Sequence, residues 1–122
     1  MGQSKHILII DDEALIRLQL RDVLECAGYS VMEAADGVEG MELFRQHQEE
    51  IALAILDLNM PDMSGYDTLA EMQILDPDVS VVVVTGILPQ AELLPGVKAI
   101  LHKPYQSQQL RSTVQEILND GI

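Results

Sequence analysis

Short, nearly continuous apolar runs alternate with helical patterns along this chain. A run at residues 29–34 alternates apolar and polar positions and predicts an exposed edge strand. The other runs are uninterrupted and rich in aliphatic and β-branched residues, which is typical of parallel strands covered on both faces. These continuous runs cover residues 6–10, 51–56, 79–85 and 97–101.

Apolar residues recur at helical spacing between these runs. In the first such segment Ile16, Leu20 and Leu24 share a face, and Gly28 supplies a C-terminal stop. The alternation of strand and helix predicts an α/β fold with a five-stranded parallel sheet and helices on both faces. The fourth helix, before the last strand, is short or irregular because prolines at positions 89 and 95 confine it. The remaining helices are predicted at residues 13–27, 37–48, 66–75 and 107–118.

Length and charge narrow the function classes. The whole chain, residues 1–122, is predicted to be one domain because it has an ordinary domain length and no repeat or linker. Its apolar runs are far shorter than a membrane span, and the N-terminus lacks the features of a signal peptide. The net charge of −13 argues against direct nucleic-acid binding, since no basic patch can neutralise phosphates. The single cysteine, Cys26, is interpreted as an inert, partly buried thiol of a cytoplasmic protein.

Polar side chains follow four of the five predicted strands. In a doubly wound sheet, ligands bind beyond the carboxyl ends of the strands, near the change in strand order. Clustered acids at that edge would repel one another, and a divalent cation such as Mg²⁺ with its preference for oxygen ligands would resolve the repulsion. The residues in question are Asp11, Asp12 and Glu13 after the first strand, Asp57 after the third, Thr85 and Gly86 after the fourth, and Lys103 and Pro104 after the fifth.

Asp57 is the candidate nucleophile of this site. A carboxylate beside Mg²⁺, a lysine and a hydroxyl is suited to forming an acyl phosphate. Each element alone has a simpler explanation, since acids favour helix N-termini and a strand-terminal Asp is often a cap. Their coincidence at one sheet edge favours the functional interpretation.

Five segments together match one known pattern: "ILIIDDE" at 7–13, "EAADGVEGMEL" at 33–43, "LDLNMPDMSG" at 56–65, "VVVVTG" at 81–86 and "GVKAILHKPY" at 96–105. With them the chain resembles the receiver domains of bacterial two-component response regulators over essentially its whole length. The resemblance implies a flavodoxin-like sheet of order 2-1-3-4-5. It also implies a conformational switch that accepts a phosphoryl group from a histidine kinase or a histidine phosphotransfer protein. Direct contact with nucleic acid or membrane is not expected, because of the charge and the short apolar runs described above. A homodimer is compatible with it.

The resemblance assigns the acidic residues separate roles. Asp57 corresponds to the phosphoacceptor. Asp12 corresponds to the direct Mg²⁺ ligand, with Asp11 assisting through water and the Asn59 backbone carbonyl as a further ligand. Mn²⁺ is the alternative ion.

The remaining motif residues belong to the switch and its loops. Thr85 corresponds to the hydroxyl that turns toward the phosphoryl group, and Lys103 to the lysine that pairs with it. Pro104 follows that lysine across a cis peptide bond in this family. Pro61 and Gly65 shape the loop after the acceptor.

The chain departs from the receiver-domain pattern at several positions. Ile100 stands where the family usually has an aromatic residue, and Gly86 replaces the common Ala. The segment from Thr85 to Lys103 is short, a form that resembles receivers of hybrid sensor kinases more than those of DNA-binding regulators. Asn59 and Ile87 are the residues expected to tune hydrolysis of the phosphoryl group, Asn59 by orienting a water and Ile87 by shielding the site.

Two other function classes remain open on the residues alone. A Mg²⁺-dependent aspartate-nucleophile phosphohydrolase typically needs a second acid two residues after the nucleophile, where this chain has Asn59. A flavin or nucleotide binder on the same fold needs a Gly-rich loop after the first strand, where acids are found instead.

Overall fold

A parallel five-stranded sheet organises the molecule. The computed structural model describes residues 6–60, 64–86 and 94–119. Strands and helices follow one another as β1 His6–Ile10, α1 Ala14–Cys26, β2 Ser30–Ala34, α2 Gly37–Gln46, β3 Ile51–Asp57, α3 Gly65–Leu75, β4 Val81–Thr85, β5 Ala99–His102 and α4 Ser107–Asn119. The strand order β2-β1-β3-β4-β5 confirms the predicted topology.

The elements differ from their predicted bounds mainly at their ends. β4 begins at Val81 and not at residue 79, because Val79 donates its backbone N–H to the Asp76 carbonyl in a turn (3.1 Å). α4 is the C-terminal helix. The short helix predicted before β5 falls largely on residues 87–93, outside the described part of the chain.

Each face of the sheet carries its own hydrophobic core. Alternate strand residues such as Leu8 and Leu56 pack with α2 and α3, whereas Ile9 and Ile55 pack with α1 and α4. These strand side chains have at most 1% of their surface exposed, because helices cover both faces. This arrangement accounts for the uninterrupted apolar runs in the sequence. None of the helices in the described ranges has the length and apolar character needed to cross a membrane.

The prediction that Cys26 is partly buried is wrong. This cysteine is exposed. It lies two residues after the buried Leu24, which places it about 200° around the axis of α1 and away from the sheet.

Gly65 lets α3 begin directly against the end of β3. Its backbone N–H donates to the Leu58 carbonyl (3.2 Å). A Cβ atom at this position would lie 2.4 Å from Leu58 Cα and 2.5 Å from the Asp57 carbonyl oxygen. Both are backbone atoms, so neither can move aside as a flexible side chain would.

We expect Gly65→Ala to destabilise the protein by about 1–3 kcal/mol, because α3 must move away from the backbone of Asp57. Chemical denaturation measures the loss. Gly86→Ala is the matched control: no described atom lies within 4 Å of a Cβ at that position, and its effect should be small. Equal stability of the two variants would contradict the close approach.

Candidate functional site

Two buried aspartates extend adjacent strands at the carboxyl edge of the sheet. Ile10 of β1 pairs with Leu56 of β3, so the following residues, Asp11 and Asp57, emerge side by side. Asp11 has 2% and Asp57 3% of its surface exposed. Asp12, the next residue in the β1–α1 connection, is exposed to solvent. Parallel pairing thus brings together the acids that the sequence singled out.

These three acids could share a cation. Among the described residues, Asp11, Asp12 and Asp57 each offer a carboxylate oxygen, and these oxygens lie within 4.8 Å of one another. The donors are all oxygen, and two are buried like charges that need compensation. Both properties fit a hard divalent ion. The three acids among the predicted metal ligands are therefore close enough to act together.

One oxygen of each buried aspartate is held by its own loop. Asp11 Oδ1 accepts from the Glu13 N–H (2.9 Å), and Asp57 Oδ1 accepts from the Asn59 N–H (3.0 Å). The Oδ2 atoms face Lys103, whose Nζ lies 3.9 Å from Asp11 and 3.8 Å from Asp57. These separations exceed the length of a direct hydrogen bond, so Lys103 offsets the negative charge of the two acids without a hydrogen bond to either.

Burial disfavours ionisation of both acids. It raises the pKa of Asp11 to about 6, an effect that the Glu13 N–H opposes and the charge of Asp57 increases. Burial likewise raises the pKa of Asp57, against the Asn59 N–H and Lys103, which lower it. Lys103 and the two amides therefore offset only part of the cost of placing these carboxylates side by side.

β4 and β5 bring a hydroxyl and the lysine to the same edge. Val84 pairs with Asp57, so Thr85 is the next residue on β4, and it is fully buried. The Lys103 backbone N–H donates to the Thr85 carbonyl (2.8 Å), which ties the two strand ends together. The peptide bond between Lys103 and Pro104 is cis, as the resemblance implied.

Other predicted site residues have more peripheral positions. Asn59 is exposed, and its backbone N–H, not its side chain, reaches Asp57. Ile100, at the position that is usually aromatic, has 42% of its surface exposed. Pro61 and Ile87 lie outside the described residues, and so does the expectation that Ile87 shields the site.

Sequence reasoning missed an arginine behind the acidic loop. Arg17 Nη1 donates to the backbone carbonyl of Asp11 (2.7 Å), and its Nε pairs with Glu33 on β2 (3.1 Å). The available signal was the i, i+4 spacing of Arg17 and Arg21 in a chain with only seven Lys and Arg residues. Tyr105, two residues after Lys103, is half-buried near the same acids. Burial, together with the charges of Asp11 and Asp57, raises its pKa to about 12.

Known proteins are similar to this chain in sequence and in fold. The family model described as "Response regulator receiver domain" matches residues 7–115. Chemotaxis protein CheY of Thermotoga maritima is 34% identical, over 95% of this chain and 96% of CheY. Sensor kinase CckA of Brucella abortus is also 34% identical, over 97% of this chain but 13% of the kinase. The solved structure of response regulator protein TrrA from Thermotoga maritima, in complex with Mg²⁺-BeF, has a TM-score of 0.86 at 27% identity, over 93% of this chain and 99% of TrrA.

We expect Asp11→Asn to stabilise the metal-free protein near neutral pH. The folded state raises the pKa of this acid from 3.8 to about 6. Ionised Asp11 therefore costs folding free energy once the pH is above both values. Two pKa units correspond to at most about 3 kcal/mol. The gain should shrink as the pH falls through the folded pKa and vanish below the unfolded one, where Asp11 is protonated in both states.

Thermal unfolding across this pH range measures the effect. Asp22→Asn is the control, because it removes the same formal charge from an exposed position on α1. A similar gain for both variants would mean that net charge, and not burial of Asp11, sets the pH dependence.

Proposed function

Because this chain belongs to the response regulator receiver domain family, which acts in two-component phosphorelay signalling, we propose that Asp57 is its phosphoacceptor. The donor is a phosphohistidine on a histidine kinase or a histidine phosphotransfer protein. One observation carries the proposal. The buried Asp57 carboxylate lies beside two other acids and one lysine at the carboxyl edge of the sheet.

The geometry favours one oxygen of Asp57 as the nucleophile. Oδ1 accepts the Asn59 N–H, whereas Oδ2 faces Lys103. Attack of Oδ2 on phosphorus forms the acyl phosphate bond, breaks the phosphorus–nitrogen bond and releases the imidazole of the donor. Lys103 and the Thr85 hydroxyl stabilise the phosphoryl oxygens as charge develops on them.

In this proposal the acidic cluster would hold the divalent ion that assists the transfer. Asp12, Asp57 and the Asn59 backbone carbonyl are proposed as direct ligands, with Asp11 acting through water. Mg²⁺ at this position would neutralise the carboxylates and the incoming phosphoryl oxygens. Mn²⁺ offers the same chemistry. The Mg²⁺-BeF complex of the relative TrrA supports this choice of ion.

The first turns of α1 offer the donor a surface. Leu15 and Leu18 are 65% and 52% exposed, and α1 begins directly after the acidic residues. We propose that a donor packing on these leucines brings its phosphohistidine to Asp57. The match to CckA covers only a small part of that kinase, so its activity as a whole is not assigned to this chain.

The domain acts as a switch and not as a hydrolase in this proposal. Receiver domains are signalling switches, and the relatives described above give no support to the phosphohydrolase alternative. One phosphoryl group per chain is expected, with slow self-catalysed loss. Repeated turnover of a small phosphate ester would favour the hydrolase instead.

Asp57→Asn should abolish phosphorylation by acetyl phosphate and Mg²⁺, because the amide cannot act as the nucleophile. Intact-mass spectrometry measures the added phosphoryl group. Asp22→Asn, at an exposed position on α1, should be labelled like the wild type. Full labelling of the Asp57 variant at another residue would reject the assignment.

Asp12→Ala should weaken Mg²⁺ binding on the order of tenfold or more, because a direct carboxylate ligand is lost. Calorimetric titration of the protein with Mg²⁺ alone measures the affinity. Lys103→Ala is the control with the opposite sign: it removes a positive charge that faces Asp11 and Asp57, so the affinity should hold or rise. Unchanged affinity in Asp12→Ala would contradict the ligand assignment.

A further inference from the structure

Two arginines on successive turns of α1 share one carboxylate on β2. Arg17 Nε lies 3.1 Å from Glu33 Oε1, and Arg21 Nη1 lies 2.7 Å from Glu33 Oε2. Arg17 and Glu33 are largely buried, with 17% and 24% of their side chains exposed, whereas Arg21 is 37% exposed. The network therefore joins the middle of α1 to the edge strand β2.

Arg17 makes a further contact that reaches the acidic loop. Its Nη1 donates to the Asp11 backbone carbonyl at 2.7 Å, a short bond from a charged donor. The Asp11 backbone N–H in turn donates to the Ala34 carbonyl at 3.1 Å. Both backbone polar groups of Asp11 are thus fixed, one by α1 and the other by β2.

We propose that Arg17 is a positioning residue for the metal-binding acids. The inference rests on the metal site proposed above. Asp11 and Asp12 lie in the short connection between β1 and α1, and their carboxylates repel Asp57 when no cation is bound. Arg17 links the Asp11 carbonyl to Glu33 and so holds this connection in the geometry that a cation requires. The connection then loses less conformational entropy when the cation binds.

A charge role and a positioning role of Arg17 predict opposite effects of its removal on the affinity for the cation. If Arg17 acted only as a nearby positive charge, its loss would strengthen cation binding. If it acts by positioning, its loss weakens binding although a repulsive charge has gone. The direction of the change therefore separates the two roles.

Arg21 is a matched control on the same helix. It pairs with the same Glu33, and its Nη2 donates to a backbone carbonyl, that of Val31 (3.4 Å). Within the described ranges, no hydrogen bond joins Arg21 to Asp11. Replacing either arginine leaves Glu33 with the other one, so both variants lose an ion pair with Glu33 and the same charge. Arg21→Ala also loses a more exposed ion pair with Glu25 (3.6 Å).

The test is calorimetric titration with Mg²⁺ alone on the wild type, Arg17→Ala, Arg17→Lys and Arg21→Ala, each checked for folding by thermal unfolding. We expect Arg17→Ala to weaken Mg²⁺ binding on the order of tenfold, as loss of outer-shell partners does elsewhere. Arg21→Ala should bind like the wild type or slightly more tightly. Arg17→Lys keeps the charge, but a single ammonium lacks the fork that reaches both Glu33 and Asp11, so it should also bind weakly. It serves as the test variant if Arg17→Ala does not fold.

Amide hydrogen exchange in the metal-free proteins gives an independent readout. Exchange at Asp11 and Glu13 should be faster in Arg17→Ala than in Arg21→Ala. Unchanged or tighter Mg²⁺ binding in Arg17→Ala, or equal weakening in both alanine variants, would overturn the positioning role. If the wild type itself bound no Mg²⁺, the proposed metal site would fail, and the exchange rates would still decide whether Arg17 holds the loop.

Discussion

The structure depends on a repulsive contact, the juxtaposition of two buried carboxylates at the ends of β1 and β3. The pairing of Ile10 with Leu56 leaves Asp11 and Asp57 no freedom to separate without breaking the central strand pair. Burial in a low-dielectric environment makes their charges expensive, and the raised pKa values record that cost. The surrounding groups offset this cost in part: two loop amides and one lysine face the two acids, and an exposed third acid, Asp12, completes a group that could hold a cation.

Much of this arrangement follows from the sequence because parallel sheets align strand ends. The uninterrupted run before Asp57 predicts a strand covered on both faces, and the acids after residues 6–10 predict its neighbour at the same edge. The order of the strands and the closeness of Asp11, Asp57 and Lys103 then agree with the expectation. Local patterns are sufficient here because the relevant distances are set by backbone pairing.

The sequence is less informative about exposure and contacts that depend on the direction in which a side chain points. The rotation of α1 about its axis exposes Cys26 and turns Arg17 toward Glu33, and apolar spacing alone did not reveal either outcome. The start of β4 was misplaced for a related reason, since a turn hydrogen bond from Val79 competes with its β propensity. Such contacts depend on how elements meet in three dimensions, which a one-dimensional pattern records only weakly.

The two buried aspartates have the same local hydrogen bond but different mechanical surroundings. Each accepts the amide two residues further on, yet α1 begins at Ala14, three residues after Asp11, whereas α3 begins at Gly65, eight residues after Asp57. Because this connection is so short, a displacement of Asp11 would also move the N-terminus of α1. The connection after Asp57 is longer, but the first residue of α3, Gly65, packs directly against the backbone of Asp57 and Leu58. Occupancy of the cluster would therefore reach α1 through a short chain connection and α3 through the packing contact at Gly65.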